Sequence, residues 1–272
     1  MNKTLKATLI GVIIPGIAII AASKLNIWLG IVVLIMYLAA VVYFNRGFLF
    51  SIFGSRQYSL GKADEALKWF RRSYETKKVG IRIYVSYAYL LLKSADLAKS
   101  EEVLQEALDK FPQSQDIPYT KSILALVLWK KGNLGEAVAM LEEVMKSYKT
   151  TSIYGSLGYL LILQGDYEKA LEHNLAAYDY NSNDKIIQDN LGLNYYLLDK
   201  YEESRKIYEA LLDKSPTFPD PYFNFGLLLL KLGEPEKAIE SMKKALNYKF
   251  SYLSSLTKEQ VEAKIQEAST GL

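Results

Sequence analysis

A small residue recurs along most of this chain at a nearly fixed interval. Ala66, Ser100, Ala137, Ala170, Ser204 and Ala238 lie 34, 37, 33, 34 and 34 residues apart. Each follows a turn-forming stretch, most clearly Gln164-Gly165-Asp166, Asp199-Lys200 and Gly233-Glu234-Pro235. A period of this length marks one supersecondary unit used many times over. Two short amphipathic helices cannot bury their apolar faces alone, so neighbouring units must stack into a continuous core. The recurrence therefore confines the body of the chain to an all-α solenoid.

Further positions keep the same register. Residues 151–184 carry Tyr154, Leu157-Gly158, Leu161, Gly165, Ala170, Asn174 and Ala177. Residues 185–218 carry Leu191-Gly192, Tyr195, Ser204, Tyr208, Leu211 and Pro216, and residues 219–252 carry Tyr222, Phe225-Gly226, Leu229, Gly233, Ala238, Met242 and Ala245. Three more degenerate copies occupy 118–150, 81–114 and 47–80. The pattern resembles the tetratricopeptide repeat (TPR) family, where an aromatic, Leu-Gly, Tyr, Ala, a large apolar residue, Ala and Pro recur at fixed offsets. The resemblance covers 47–252 and implies a right-handed α-solenoid of about six helix-turn-helix units. Pro112 and Pro216 end second helices, since proline cannot continue one. Residues 253–272 read as a capping helix. Thr257-x-x-Gln260 has the form of a capping box, and Val261 and Ile265 place one apolar stripe on Lys258–Ala268 for covering the open end.

The N-terminal part, residues 1–46, has a different character. From Ala7 to Asn45 the only charged residue is Lys24, and the first acidic residue of the whole chain is Asp64. Ala7–Ser23 and Ile27–Phe44 are apolar stretches whose helices would each span roughly 26 Å, close to a ~30 Å hydrocarbon core. Trp28 and Tyr43 sit near the two ends of the second, where amphipathic rings prefer the interface. The expectation is a hairpin of two transmembrane helices, about 7–23 and 27–44. Lys3 and Lys6 precede it, and Arg46, Arg56 and Lys62 follow it. The positive-inside rule then puts both termini in the cytoplasm of a prokaryotic cell membrane. A cleaved signal peptide is the competing reading of the first stretch, because MNKTLK and Ala21-Ala22-Ser23 imitate one. The second stretch would still stop transfer and leave the body cytoplasmic.

Little in the chain points to catalysis. There is no cysteine and one histidine among 272 residues, which excludes disulfides, thiolate chemistry and Cys- or His-rich metal sites. No phosphate-binding glycine loop is present. Glu101-Glu102, Glu142-Glu143 and Glu202-Glu203 are helix neighbours that point apart, so they read as solvated surface. His173 has no second His or Cys to join it and reads as a surface residue. The basic excess lies around the apolar N-terminus rather than in the repeats, which argues against a nucleic-acid partner. No enzyme activity, cofactor or metal is expected.

By the family's layout, the first helix of each unit supplies an inner, concave surface. The polar clamp that this family uses for acidic chaperone tails is absent, since the corresponding pairs include Val85/Tyr89, Ser122/Leu126 and Gly155/Tyr159. Aromatic and aliphatic side chains take its place. Tyr89, Lys93, Trp129, Lys130, Tyr159, Tyr196, Phe223 and Lys231 are the candidate residues of a partner-binding groove. The alternative for the same residues is core packing, as runs such as Tyr159–Leu163 are apolar nearly all round the helix. The expected function is a membrane-anchored scaffold that binds a protein or peptide, in assembly of a membrane or envelope complex. The alternative is a regulatory receptor whose groove takes a signal peptide or small ligand.

Overall fold

The computed structural model describes residues 9–270, and every regular element among them is helical. The chain divides into two compact units, one up to Ile83 and one from Tyr84.

In the first unit a π-helical turn, Leu9–Ile13, runs into α1 (Ile14–Leu25), followed by α2 (Ile27–Phe44), α3 (Arg46–Ser59) and α4 (Ala63–Glu75). A single extended residue, Asn26, separates α1 from α2, and its side chain accepts the Trp28 N–H at 2.8 Å to cap α2. The two helices pack side by side through small residues. The Tyr37 hydroxyl donates to the Gly11 carbonyl at 2.7 Å, and a Cβ on Gly30 would lie 1.9 Å from Ser23 Oγ.

Among the described residues, only one helix is long and apolar enough to cross a membrane. That is α2, with a mean hydropathy of 2.6 and 6% of its span buried. The apolar helix Gly11–Leu25 reaches only about 22 Å at 1.5 Å per residue. The expected pair of spans is thus corrected to one candidate. Lys3, Lys6 and the start of the expected first span lie outside the described residues. The α3–α4 pair closes over Trp69, whose ring centroid lies 5.7 Å from that of Phe50 and 5.1 Å from that of Phe53.

The second unit takes in all but the first residues of α5 (Ile81–Lys93), then α6 (Leu97–Lys110), α7 (Ile117–Lys130), α8 (Leu134–Met145), α9 (Thr151–Gln164), α10 (Tyr167–Tyr180), α11 (Lys185–Leu197), α12 (Tyr201–Asp213), α13 (Asp220–Lys231), α14 (Pro235–Ala245) and α15 (Lys258–Thr270). Its crossing residues Ser100, Ala137, Ala170, Ser204 and Ala238 are fully buried. Where serine replaces alanine, its hydroxyl is paired: Ser100 Oγ donates to the Ala88 carbonyl at 2.7 Å and Ser204 Oγ to the Gly192 carbonyl at 2.8 Å. Each first helix offers a small residue at the approach. Gly158, Gly192 and Gly226 sit against Asn174, Tyr208 and Met242, where a Cβ would lie 2.0, 2.8 and 2.6 Å from the facing atoms.

The turn inside every helix pair contains one residue with positive φ, at Gly61, Ala95, Gly132, Gly165, Asp199 and Gly233. Glycine adopts that conformation freely; alanine and aspartate do not. First helices of successive pairs touch one another (α7 with α9, α9 with α11, α11 with α13), so they form one continuous inner row. The acidic pairs of the sequence lie on the surface. Glu101 and Glu142 reach Lys131 and Lys169 of the following pair, at 2.5 and 2.8 Å.

Candidate partner-binding groove

The inner row gathers several of the expected groove residues. The ring centroids of Trp129, on α7, and Tyr159, on α9, stand 5.6 Å apart, edge to face. The Lys130 ammonium lies 4.0 Å from the Trp129 ring centroid and 5.0 Å from that of Tyr252. Partial burial holds its pKa below the ordinary lysine value. Tyr196 is half-buried, with its ring centroid 6.1 Å from that of Tyr201. Phe223 joins Leu227 and Leu230 in an apolar cluster. Tyr89 and Lys93 pair with each other further along the unit, the ammonium 5.7 Å from the ring centroid, and Lys231 is exposed.

The groove is occupied by the chain itself. After α14 the backbone leaves helical form and runs through Ser251–Leu256 before α15 begins. Lys130 Nζ donates to the Ser254 carbonyl at 3.1 Å, and the Ser255 N–H donates to Tyr159 Oη at 3.0 Å. The Ser254 hydroxyl donates to Asp220 Oδ1 at 2.5 Å. These three anchors come from three different helix pairs. Leu256 and Ile265 pack on the Phe223 cluster.

The expected capping box is present. The Thr257 N–H donates to Gln260 Oε1 at 2.8 Å, and the Gln260 N–H to Thr257 Oγ1 at 3.2 Å. Val261 is fully buried among Tyr222, Met242 and Ala245, so α15 does cover the last pair. The stretch before it does more than cap. It crosses the inner row as far back as α7.

Beneath this strap lies a buried polar cluster. Asp189, on α11, accepts hydrogen bonds from the Tyr208 hydroxyl at 3.2 Å and the Asn224 amide at 3.1 Å. Burial, and then the charge on Asp220, push its carboxyl up to about 8, so it is neutral at pH 7. Burial also raises the Asp220 carboxyl, but the Ser254 hydroxyl and a backbone N–H at the start of α13 oppose that. The helix N-terminus favours negative charge there, so Asp220 is the ionised partner. Neighbouring Asn190 and Asn194 donate to the carbonyls of Gly155 and Tyr167, at 2.8 and 2.9 Å.

Sequence reasoning singled out none of Asp220, Asn224, Ser254 and Ser255. The available signal was the uncharged, hydroxyl-rich stretch 250–257, which has no helical period and whose serines favour turns. His173 is also corrected. It is half-buried beside Tyr154, and its Nε2 lies 3.0 Å from that residue's carbonyl oxygen. Burial lowers its pKa, so it is a packed neutral imidazole rather than a surface group.

The architecture is that of a repeat protein with a groove along its first helices. Tetratricopeptide repeat family models match residues 124–185, 188–217 and 207–240, so these stretches carry tetratricopeptide repeats. A TPR repeat-containing protein of Methanocaldococcus jannaschii is 23% identical over 193 residues, 71% of this chain and 31% of that one. Another from Pseudomonas aeruginosa is 26% identical over 159 residues, 57% of this chain and 26% of the relative. The chain thus spans a third or less of the length of these relatives. Among solved structures, a tetratricopeptide repeat protein from Parabacteroides merdae superposes with a TM-score of 0.67 at 16% identity, covering 94% of this chain and 98% of the other. A chain of the APC/C hetero-tetramer Cut9-Hcn1 gives 0.68 at 16% identity, covering 82% and 42%. These likenesses concern the fold.

Proposed function

We propose that this protein is a non-enzymatic scaffold, anchored in a membrane by its N-terminal apolar residues 7–44, which holds a partner protein or peptide at the cytoplasmic face. The observation that carries the reading is the inner row of Trp129, Lys130 and Tyr159 with a non-helical, turn-containing segment seated on it. A surface that already holds one non-helical segment through its backbone has the groups to hold another. Repeats of the same fold work within a protein hetero-tetramer in the Cut9-Hcn1 structure, which fits a protein partner.

Membrane anchoring rests on α2, an apolar helix that this chain leaves 94% unburied and therefore does not use as a core helix. Arg46, Arg56 and Lys62 follow it against Lys24 alone before it in the described residues, which favours a cytoplasmic body. Tethering raises a partner's effective concentration without any new contact.

Capture from membranes of the source cell tests the reading. Full-length protein is expected to retain a stoichiometric partner that Trp129→Ala and Tyr159→Ala variants lose, at a cost of about 2 kcal/mol or more each. Unchanged capture by folded variants would sink it.

A further inference from the structure

The strap touches the groove through two backbone groups and one hydroxyl. Lys130 takes a backbone carbonyl, Tyr159 takes the next residue's N–H, and Asp220 takes a hydroxyl. None of these contacts reads a side chain larger than serine. The aromatic and aliphatic flanks, Tyr252 and Leu256, rest on the Lys130 ammonium and on the Phe223 cluster.

The hold is shallow. Tyr252 is 39% exposed, and no residue from Ser251 to Thr257 is fully buried. In α15 only Val261 is buried. Lifting the strap therefore uncovers little of the repeat core, while it unpairs the partly buried Lys130 and Tyr159 and the carboxylate of Asp220. Those three groups need a replacement of the same chemistry.

We infer that Ser251–Leu256 stands in the place of the groove's ligand, and that the partner is a short, uncharged, turn-forming segment carrying a Ser or Thr hydroxyl between aromatic and aliphatic side chains. It binds by displacing the strap. An acidic side chain at the hydroxyl position is rejected by Asp220. The inference rests on the reading of the groove as the partner site.

The test uses the full-length chain in detergent and a fluorescent peptide of residues 249–257, blocked at both ends. Ser254→Ala with Ser255→Pro removes the strap's hydroxyl and N–H donors and leaves every groove residue intact. This variant is expected to bind the peptide on the order of ten-fold more tightly than the wild type. Adding Lys130→Met and Tyr159→Phe is expected to reverse the gain. In the unaltered chain, saturating peptide is expected to speed hydrogen exchange at 251–256, a readout that needs no variant.

Equal peptide affinity in the wild type and the strap variant, or no binding to either, would overturn the inference. So would unchanged exchange in the strap at saturating peptide. If the inference falls while groove variants still lose the captured partner, the proposed function stands. If the groove variants keep the partner, the function itself falls.

Discussion

At the level of single residues, the most informative positions are those where the backbone or a charge is held against its preference. Ala95 occupies the left-handed turn position, with φ at 64°, that glycine fills in four of the six helix pairs. Ala95→Gly is expected to stabilise the protein by about 0.5–1 kcal/mol, measured by urea denaturation, since it relieves a strained L-residue. The opposite sign is expected for Gly158→Ala. Its methyl group would lie 2.0 Å from Oδ1 of the fully buried Asn174, and a loss of about 1–3 kcal/mol follows. Asp189 gives a pH dependence. Unfolded, its carboxyl ionises near 3.8; folded, it keeps its proton up to about 8. The folded state binds the extra proton between those values, so stability falls as pH rises from about 4 to about 8 and levels beyond. Asp189→Asn is expected to remove most of that slope and to be the more stable protein at about pH 8, compared by denaturation at about pH 5 and pH 8. A slope that survives unchanged would move the titrating group elsewhere.

At the level of elements, each helix pair depends on one close crossing. Ala170 and Ala238 are fully buried there. Replacement of Ala170 by leucine is expected to cost about 1–3 kcal/mol or more and to raise hydrogen exchange chiefly in α9, α10 and their neighbours. Uniform loss of protection along the second unit would contradict a stack held by nearest-neighbour contacts. These elements were legible in the sequence because their signals are local and periodic. The crossing residues, the small residues facing them and the Thr257–Gln260 capping box all sit within one unit's length of their partners. The strap was not legible. Ser254 is 124 residues from Lys130, and Ser255 is 96 from Tyr159. No period in a sequence encodes a contact of that separation. Neutral Asp189 escaped for a related reason, as a carboxylate's burial depends on which helices close over it.

At the level of the whole molecule, the proposed anchoring and the proposed binding can be tested apart. The absence of cysteine makes topology measurable with single introduced thiols. A cysteine at position 200 is expected to react only after the membrane is opened, and one at position 25 to react from outside. External labelling at position 200 would overturn the cytoplasmic assignment. The strap carries a further consequence for what reaches the groove. A site available only when its own cover is lifted acts as a filter on local density. A cover open about one hundredth of the time weakens every dilute soluble ligand about a hundredfold. A client confined to the same membrane meets the site at a far higher local concentration and overcomes that handicap. On the proposed reading, the fold would turn away chance encounters from solution and admit chains that already share its surface.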